Sequence, residues 1–388
     1  MSLIPRQALA AVHRLARGFP IVTLTGPRQS GKSTLARQAF PGKPYVTLED
    51  PDLRAQALQD PRHFLARFDD GAVIDEAQRA PELFSYLQGV VDTRQRRGDF
   101  VLTGSQQFGL MSRITQSLAG RVGLVHLLPL SLAELSRAGR APPTLAQALW
   151  RGGYPALHGL EPLDPGDWAA NYVATYIERD VRQLLAVRQL SLFQRFLKMC
   201  AARSGQLLNL SALAADCGIT HVTAREWLSV LEASYIVRLL TPYHVNFGKR
   251  LVKAPKLYFL DTALAAWLLD IRDAKTLQTH AMRGALFEAW VVGEIVKHEW
   301  NAASVPDLWF WRDSAGHEVD LLMPAGPQLQ AIEIKSGTTF ARDWVDSALR
   351  FAALAGARAL PPIIVWGGAD SFEFLGCRVV SWRDLARE

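Results

Sequence analysis

A stretch of eight residues near the N-terminus carries the most specific chemical signal in the chain. Residues 26–33 fill every fixed position of the phosphate-binding P-loop pattern. Glycines let the backbone wrap around phosphate, and N–H groups at a helix start supply positive partial charge. We expect Lys32 to reach the β- and γ-phosphates of a nucleoside triphosphate and Ser33 to coordinate Mg²⁺. The residues expected to bind nucleotide are Gly26, Pro27, Arg28, Gln29, Ser30, Gly31, Lys32, Ser33, Thr34, Asp75 and Ser105.

The segments around this loop predict the elements that position it. Residues 19–24 form an apolar run typical of a buried strand, and residues 33–40 are typical of a helix. Farther along, Asp75 and Glu76 end a second apolar run. In a parallel sheet both acids would lie beside the P-loop, where Asp75 would hold Mg²⁺ and Glu76 would orient or deprotonate the attacking water. A solvated acidic turn is the alternative interpretation.

A third apolar run, residues 100–102, leads into small polar residues that include Ser105. At the end of a strand, such side chains could sense the γ-phosphate or position water. Three buried strands that end in polar residues predict an α/β core with a parallel sheet and flanking helices.

Composition limits the remaining possibilities. A chain of 388 residues with 49% apolar residues predicts two to four folded domains. The three cysteines have no CxxC spacing, which argues against a zinc ribbon or a disulfide framework. No apolar stretch is long enough to span a bilayer, so we expect a cytoplasmic protein without a membrane partner. The net charge of +6 is compatible with a polyanionic partner without requiring one.

Taken together, these motifs resemble those of bacterial and archaeal predicted AAA+ ATPases, and the likeness covers nearly the whole chain. The further matching segments are residues 119–121, 129–131, 152–155 and 176–180. The resemblance implies ATP and Mg²⁺ as ligands and a homo-oligomer, with a hexameric ring as one arrangement. It also makes Arg121 the leading candidate for an arginine finger, with a structural salt bridge as the alternative. Arg113 competes for the finger role, and Arg179 is a candidate sensor or a partner of Asp180.

The middle of the chain carries a different pattern. Residues 211–220 and 221–231 resemble two helices joined by a glycine turn, which is a helix-turn-helix signature. Predicted strands at residues 235–240 and 256–260 would complete a winged helix. On DNA, the second helix and the wing would supply the contacts, and a rigid protein-binding module is the alternative. The candidate contact residues are His221, Thr223, Arg225, Glu226, Lys249, Arg250 and Lys253, of which Glu226 would repel phosphate.

The last hundred residues contain a second set of candidate catalytic residues. Strand alternation places Glu333 and Lys335 on one face, and Asp320 ends a neighbouring segment. With Glu288 on a helix over residues 284–296, the set resembles the metal-binding core of a PD-(D/E)xK nuclease fold. In that resemblance Asp320 and Glu333 bind Mg²⁺, Lys335 activates water and Glu288 supports the metal. His317 and Glu318 could assist metal binding, and solvated strand residues are the alternative interpretation. Trp309 and Trp311 could stack against bases, although alternating aromatic residues in a strand usually fill a core.

The sequence and this resemblance therefore predict an α/β protein with an AAA+ P-loop core over residues 1–150 and a helical lid or linker region over residues 151–205. The next predicted domain is a winged helix-turn-helix over residues 206–278. The last is a restriction-endonuclease-like α/β domain over residues 279–388. The expected function is ATP-driven remodelling or translocation of duplex or branched DNA. The alternatives are a nucleotide-dependent switch that binds proteins, with a silent nuclease-like domain, and a Mg²⁺-dependent nuclease gated by ATP.

Overall fold

The computed structural model describes residues 3–105, 117–177, 190–243 and 253–386. Within these ranges, the strands are β1 (Ile21–Thr25), β2 (Tyr45–Thr47), β3 (Ala72–Asp75), β4 (Phe100–Gly104), β5 (Val122–His126), β6 (Gln206–Leu207), β7 (Val237–Pro242), β8 (Lys256–Phe259), β9 (Trp309–Arg312), β10 (Glu318–Ala325), β11 (Gln328–Lys335), β12 (Ile363–Trp366), β13 (Phe372–Phe374) and β14 (Cys377–Ser381).

The helices alternate with strands in the first part of the chain and precede or flank them in the rest. They are α1 (Ala8–Gly18), α2 (Lys32–Ala39), α3 (Pro51–Gln59), α4 (Pro61–Ala66), α5 (Leu83–Arg94), α6 (Leu132–Arg137), α7 (Leu145–Arg151), α8 (Pro165–Tyr172), α9 (Leu190–Ala201), α10 (Leu210–Cys217), α11 (His221–Ala233), α12 (Thr262–Leu268), α13 (Ala274–Thr279), α14 (Arg283–Asn301) and α15 (Asp346–Ala355).

The first sheet is parallel and has the order β2-β3-β4-β1-β5 in the described part of the chain. Strands β1, β3 and β4 are buried along their whole length, as expected for parallel strands covered by helices on both faces. β1 begins at Ile21, two residues later than the sequence predicts, because Phe19 and Pro20 direct their carbonyls to Gly98 and Asp99 outside the ladder. The carboxyl ends of β1, β3 and β4 share one edge, which positions the polar residues after them.

The second sheet is mixed and has the order β13-β14-β12-β11-β10-β9-β7-β8-β6 among the described residues. Strands β6 to β8 belong to the predicted winged-helix segment, and β9 to β14 belong to the predicted nuclease-like segment. The two segments join through a parallel pairing of Thr241 with Trp309 and of Pro242 with Phe310. One hydrophobic core, extending from Leu128 to Trp382, underlies both segments. They therefore pack as one continuous unit.

Local capping explains the helix-turn-helix segment. The Asn209 side chain caps α10, and Gly218 ends it in the left-handed conformation with φ of 70°. The Thr220 hydroxyl then accepts from the N–H of Thr223 and starts α11. The next strand begins at Val237 and not at residue 235 as predicted, because Tyr235 has a positive φ of 59°.

Two further features concern the hydrophobicity of the helices and the state of the cysteines. In the described part of the chain, no helix combines the length and apolar character needed to cross a bilayer. Cys200, Cys217 and Cys377 are buried free thiols, and burial raises the pKa of each.

Candidate functional site

The P-loop connects β1 to α2 and its shape depends on glycine. Gly26 has a φ of 154°, and a Cβ atom added there would lie 2.1 Å from the carbonyl oxygen of Leu127. Gly31 has a φ of 93° and directly precedes Lys32, the first residue of α2. The loop is thus pressed against the residue that follows β5, and the helix starts with its N–H groups toward the loop.

Asp75 is held at the end of β3 by three hydroxyl groups. The Ser33 hydroxyl donates to Asp75 Oδ1 at 2.7 Å, and the Tyr45 hydroxyl donates to Oδ2 at 2.7 Å. The Thr103 hydroxyl also donates to Oδ1. Burial, followed by the hydrogen bond to Asp75, raises the pKa of Tyr45 well above its ordinary value, which keeps the phenol a donor. These three donors are uncharged, so they orient the carboxylate without neutralising its charge.

The phosphate-binding part of the loop contains a buried lysine and a buried serine hydroxyl. Lys32 is 5% exposed and donates to the carbonyl oxygen of Pro27 at 2.7 Å, so its ammonium lies against the loop. The Ser30 hydroxyl oxygen is buried and has no hydrogen-bond partner in the described part of the chain. Together with Ser33 and Asp75, these groups form a donor and carboxylate set that fits a triphosphate and Mg²⁺.

Glu76 follows Asp75 with a left-handed φ of 52°, which turns the chain sharply after β3. Its Oε2 atom accepts hydrogen bonds from Ser105 Oγ at 3.2 Å and from the Gln78 amide. The structure therefore brings Glu76 and Ser105, which are 29 residues apart, to the same edge of the sheet as Ser33.

Several residues that sequence reasoning missed hold the P-loop from outside. Arg6 donates to the carbonyl oxygens of Ser30 at 2.6 Å and Leu128 at 2.7 Å, and its Nε pairs with Glu134 at 3.0 Å. Trp168 on α8 donates from Nε1 to the Gln29 side chain at 2.9 Å. These contacts tie the N-terminal segment and the region after the core to the loop.

A cavity of about 640 Å³ lies beside the loop. Gly31, Thr34 and Gln38 line one side of it, and Arg6, Arg140 and His158 contribute polar groups to its wall. Its size and mixed lining suit a nucleoside. Burial lowers the pKa of His158 to about 4, so this side chain is neutral at pH 7.

Tyr235 connects the helix-turn-helix segment to the end of β1. Its hydroxyl contacts the hydroxyl of Thr25, the residue before Gly26, and the His126 Nδ1 atom at 2.9 Å. Burial, with a smaller effect of Arg238, lowers the pKa of His126 to about 4. A single side chain outside the first sheet thus contacts the ends of both β1 and β5.

The candidate finger residue Arg121 lies at the opposite edge of the sheet from the P-loop. Its carbonyl accepts from Ile21, the first residue of β1. Its guanidinium forms a two-pronged ion pair with Asp92 on α5, with distances of 2.6 and 2.7 Å, and this pair lowers the pKa of Asp92. Arg113, Arg179 and Asp180 lie outside the described residues.

The exposed face of α11 carries the predicted recognition residues. His221, Arg225 and Glu226 are exposed and Thr223 is half-buried, whereas Ala224 and Trp227 face the core. Lys253 is exposed and lies three residues before β8. Lys249 and Arg250 lie outside the described residues.

The second predicted site also converges in space. Lys335 pairs with Glu333 and lies 3.8 Å from Asp320 Oδ2, while Glu288 projects from α14 toward the same region. Burial, then the charge of Asp320, raises the pKa of Glu288 to about 7 and of Glu333 to about 8. The Oε2 atom of Glu333 is buried without a hydrogen-bond partner in the described part of the chain.

Lys256 lies among these carboxylates, and no sequence motif includes it. Its Nζ atom is 2.9 Å from Glu288 Oε1, 2.5 Å from Glu318 Oε1 and 3.7 Å from Asp320 Oδ1. Burial alone would lower the pKa of Lys256, but the three acids raise it above its ordinary value. The ammonium is therefore charged and only 3% of the residue is exposed.

Both oxygens of Asp320, a predicted Mg²⁺ ligand, have protein neighbours. Asp320 Oδ1 faces Lys256, and Oδ2 accepts the Ile334 N–H at 2.9 Å and faces Lys335. Across the described ranges, no group of three or more histidine, cysteine or acidic residues is arranged to hold a metal ion. Glu318 lies with Glu288 and Asp320 around Lys256. His317 instead pairs with Asp313 at 3.0 Å. Trp311 is 2% exposed and packs on Phe351, as a core residue does.

A P-loop at the carboxyl edge of a parallel sheet, with an acid at the end of a nearby strand, defines the class as P-loop ATPases. The family model "AAA domain" matches residues 18–136. Models described as "Domain of unknown function" match residues 142–275 (DUF8612) and 283–385 (DUF4143).

Two curated relatives are similar over most of the chain. They are uncharacterized proteins of Mycobacterium tuberculosis and Mycobacterium bovis, each 34% identical over 338 residues, which is 86% of this chain and 74% of theirs. The chain belongs to the AAA-domain protein family that includes these two mycobacterial proteins.

Solved structures with partial likeness include a Walker-type ATPase of Pyrococcus abyssi. It is 14% identical with a TM-score of 0.41, and the match covers 69% of this chain and 96% of that one. A RuvB variant of Thermotoga maritima is 20% identical with a TM-score of 0.30, and the match covers 61% and 86% of the two chains.

Proposed function

We propose that this protein is a Mg²⁺-dependent ATPase that couples hydrolysis to the remodelling or translocation of DNA. The observation that carries the ATPase part is the hydrogen bond of 2.7 Å between Ser33 Oγ and Asp75 Oδ1, because these two residues are the proposed Mg²⁺ ligands. Ser33 and Asp75 would hold Mg²⁺, which would supply positive charge to offset the negative charge that develops on the phosphates. Lys32 would turn from Pro27 to the phosphates.

Glu76 is the proposed residue that orients or deprotonates the attacking water. Ser105 and Gln78 hold its carboxylate, which supports a fixed position beside the γ-phosphate. Ser105 is the proposed sensor of that phosphate. The test is phosphate release with ATP and Mg²⁺, compared with the same reaction in EDTA. Release only with Mg²⁺ is expected, and equal release in both would contradict the assignment.

We further propose a homo-oligomer in which Arg121 serves the nucleotide of a neighbouring subunit. Its position at the far edge of the sheet supports a role in trans, whereas the pair with Asp92 favours a structural role. Two variants separate these roles. If Arg121 is a finger, the ATP turnover of Arg121→Ala should fall at least about 10³-fold, because arginine fingers contribute this much to phosphoryl transfer. The turnover of Asp92→Ala should then equal that of wild type. Equal small losses in both variants would assign the pair to stability.

The exposed face of α11 supports the proposed contact with DNA, through His221, Thr223 and Arg225. Binding to single-stranded, duplex and branched DNA should weaken steeply with salt, because phosphate contacts release counterions. Arg225→Ala should reduce the salt slope by about one. Arg272→Ala is the matched control, because this arginine is exposed and pairs with Asp270 elsewhere. An equal salt dependence of DNA binding in the two variants would show that α11 does not contact DNA.

A second candidate is a nucleotide-dependent switch that binds proteins and has a silent C-terminal domain. The specific observation that favours it is the ammonium of Lys256 among the carboxylates of that domain. An ATPase rate that does not change with any DNA structure, together with no salt-dependent DNA binding, would select the switch. Stimulation by one DNA structure would select the DNA-acting machine.

A further inference from the structure

The carboxylate centre of the second sheet contains its own cation. Its four acids are Glu288, Glu318, Asp320 and Glu333, and its cationic neighbours are Lys256, Lys335 and Arg312. Burying an ammonium costs several kcal/mol unless nearby acids compensate it. Three acids lie within 4 Å of the Lys256 nitrogen, so this side chain is compensated in the way that a bound cation would be.

We propose that Lys256 is the resident cation of this centre and takes the place of a divalent metal. The centre is then an ionic latch that fastens β8 to α14 and β10, and it does not perform metal-dependent cleavage of phosphodiesters. This inference is independent of the ATPase activity.

The backbone fixes Lys256 in this position. β8 is paired on both sides, because Lys256 lies opposite Leu207 of β6 and Leu240 of β7. Side chains two residues apart on a strand share a face, so Tyr258 points in the same direction as Lys256. The Tyr258 hydroxyl donates to Glu288 Oε1 at 2.5 Å, the same oxygen that faces Lys256. The pairing on both sides fixes the backbone of Lys256, so only a rotation of its side chain could withdraw the ammonium from the acids.

The ammonium and a divalent ion would compete for the same oxygens. Mg²⁺ requires oxygen ligands at about 2.0–2.1 Å in near-octahedral geometry. Glu288 Oε1 and Asp320 Oδ1 both face Lys256, and a second cation between them would meet the repulsion of a buried positive charge. The unpartnered Oε2 atom of Glu333 is a carboxylate oxygen that the latch leaves unused.

The test measures Mn²⁺ binding to the nucleotide-free full-length chain by electron paramagnetic resonance, which detects the loss of the free-ion signal. Wild type and Asp320→Asn should give the same binding curve. Lys256→Met keeps the length of the side chain without the charge, so it should bind one Mn²⁺ about tenfold or more tightly than wild type. Adding Asp320→Asn to Lys256→Met should abolish the gain.

Lys198→Met is the control, because Lys198 pairs with Asp270 at the surface and should not affect Mn²⁺ binding. Thermal unfolding establishes that each variant is folded. Mn²⁺ bound by wild type and lost in Asp320→Asn would overturn the proposal, as would a folded Lys256→Met variant without a gain. If Lys256→Met does not fold, the comparison of wild type with Asp320→Asn decides alone.

Discussion

The P-loop centre and the C-terminal carboxylate centre use similar residues in opposite ways. Each has an acid at or near the end of a strand and a lysine close by. In the first centre, hydroxyl groups of Ser33, Tyr45 and Thr103 hold Asp75. In the second, the ammonium of Lys256 lies among Glu288, Glu318 and Asp320.

In our proposals, this difference makes the first centre suited to a metal and the second centre unsuited to one. A hydroxyl donor orients a carboxylate but leaves its negative charge for a cation to neutralise. An ammonium donor neutralises it in advance, so a second cation has little to gain. The presence of acids at a strand end is therefore insufficient to predict a metal site, because the neighbours of the acids determine whether charge remains available.

The largest expected effect tests the first centre. Glu76→Gln removes the charge that orients or deprotonates water and keeps the size of the side chain, so ATP turnover should fall about 10²- to 10⁴-fold while ATP affinity is retained. Glu82→Gln is the control, because Glu82 is exposed at the start of α5. Steady-state phosphate release is the measurement. Turnover equal to wild type would refute the role of Glu76.

A second variant tests whether the P-loop depends on close packing. Gly26→Ala places a Cβ atom against the Leu127 carbonyl oxygen at a position with φ of 154°, so the free energy of unfolding should fall by about 1–3 kcal/mol. Gly42→Ala is matched, since an added Cβ has no neighbour within 4 Å there. Urea denaturation gives both values. Equal stability of the two variants would mean that the loop has room to shift.

The titration of His158, which lines the cavity beside the P-loop, should lower the free energy of unfolding in acid. The folded pKa of His158 is about 4, below the ordinary value of 6.5, so only the unfolded chain takes up a proton between these pH values. The titration of His158 should therefore lower the free energy of unfolding by about 2 kcal/mol between pH 7 and pH 5.

His158→Gln removes this titration while keeping a donor for the Gly152 carbonyl. The difference between wild type and variant isolates it from Glu288 and Glu333, whose raised pKa values act with the opposite sign. Denaturation curves at several pH values are the measurement. A difference that does not change between pH 7 and 5 would contradict a neutral buried His158.

The smallest expected effect concerns the way Asp75 is held. Tyr45→Phe removes one of the three hydroxyl donors, so the apparent Mg²⁺ affinity in the ATPase reaction should weaken about fivefold, which corresponds to about 1 kcal/mol. Tyr86→Phe, at an exposed tyrosine, is the control. A Mg²⁺ dependence that is unchanged in Tyr45→Phe would show that Ser33 and Thr103 suffice.

The sequence predicts the P-loop well because its chemistry is contiguous. Eight adjacent residues bring the required glycines, Lys32 and Ser33 together, and Asp75 is recognisable because it ends an apolar strand. Glu333 and Lys335 are also predictable from adjacent residues, because side chains two positions apart on a strand lie on the same face. The structure places these residues on one face, as their pairing requires.

The remaining contacts depend on the tertiary fold and have no local signal. Tyr45 lies 30 residues from Asp75, and Trp168 lies 139 residues from Gln29. Lys256 lies 32 residues from Glu288 and occurs in an ordinary apolar strand. Tyr235 fits a strand pattern, yet its positive φ removes it from the strand and directs its hydroxyl to Thr25. These contacts form only when segments far apart in the sequence fold together.

The most direct test of the central claim is calorimetric titration of ATP into the purified chain with Mg²⁺ present. Wild type should bind one ATP per chain, and Lys32→Ala should bind it about 10- to 100-fold more weakly, because a charged hydrogen bond to phosphate is lost. Lys43→Ala, a lysine of the same domain that contacts the carbonyls of Asp70 and Asp99, should bind as wild type does. No binding by wild type, or equal binding by wild type and Lys32→Ala, would contradict the assignment of the P-loop as the nucleotide site.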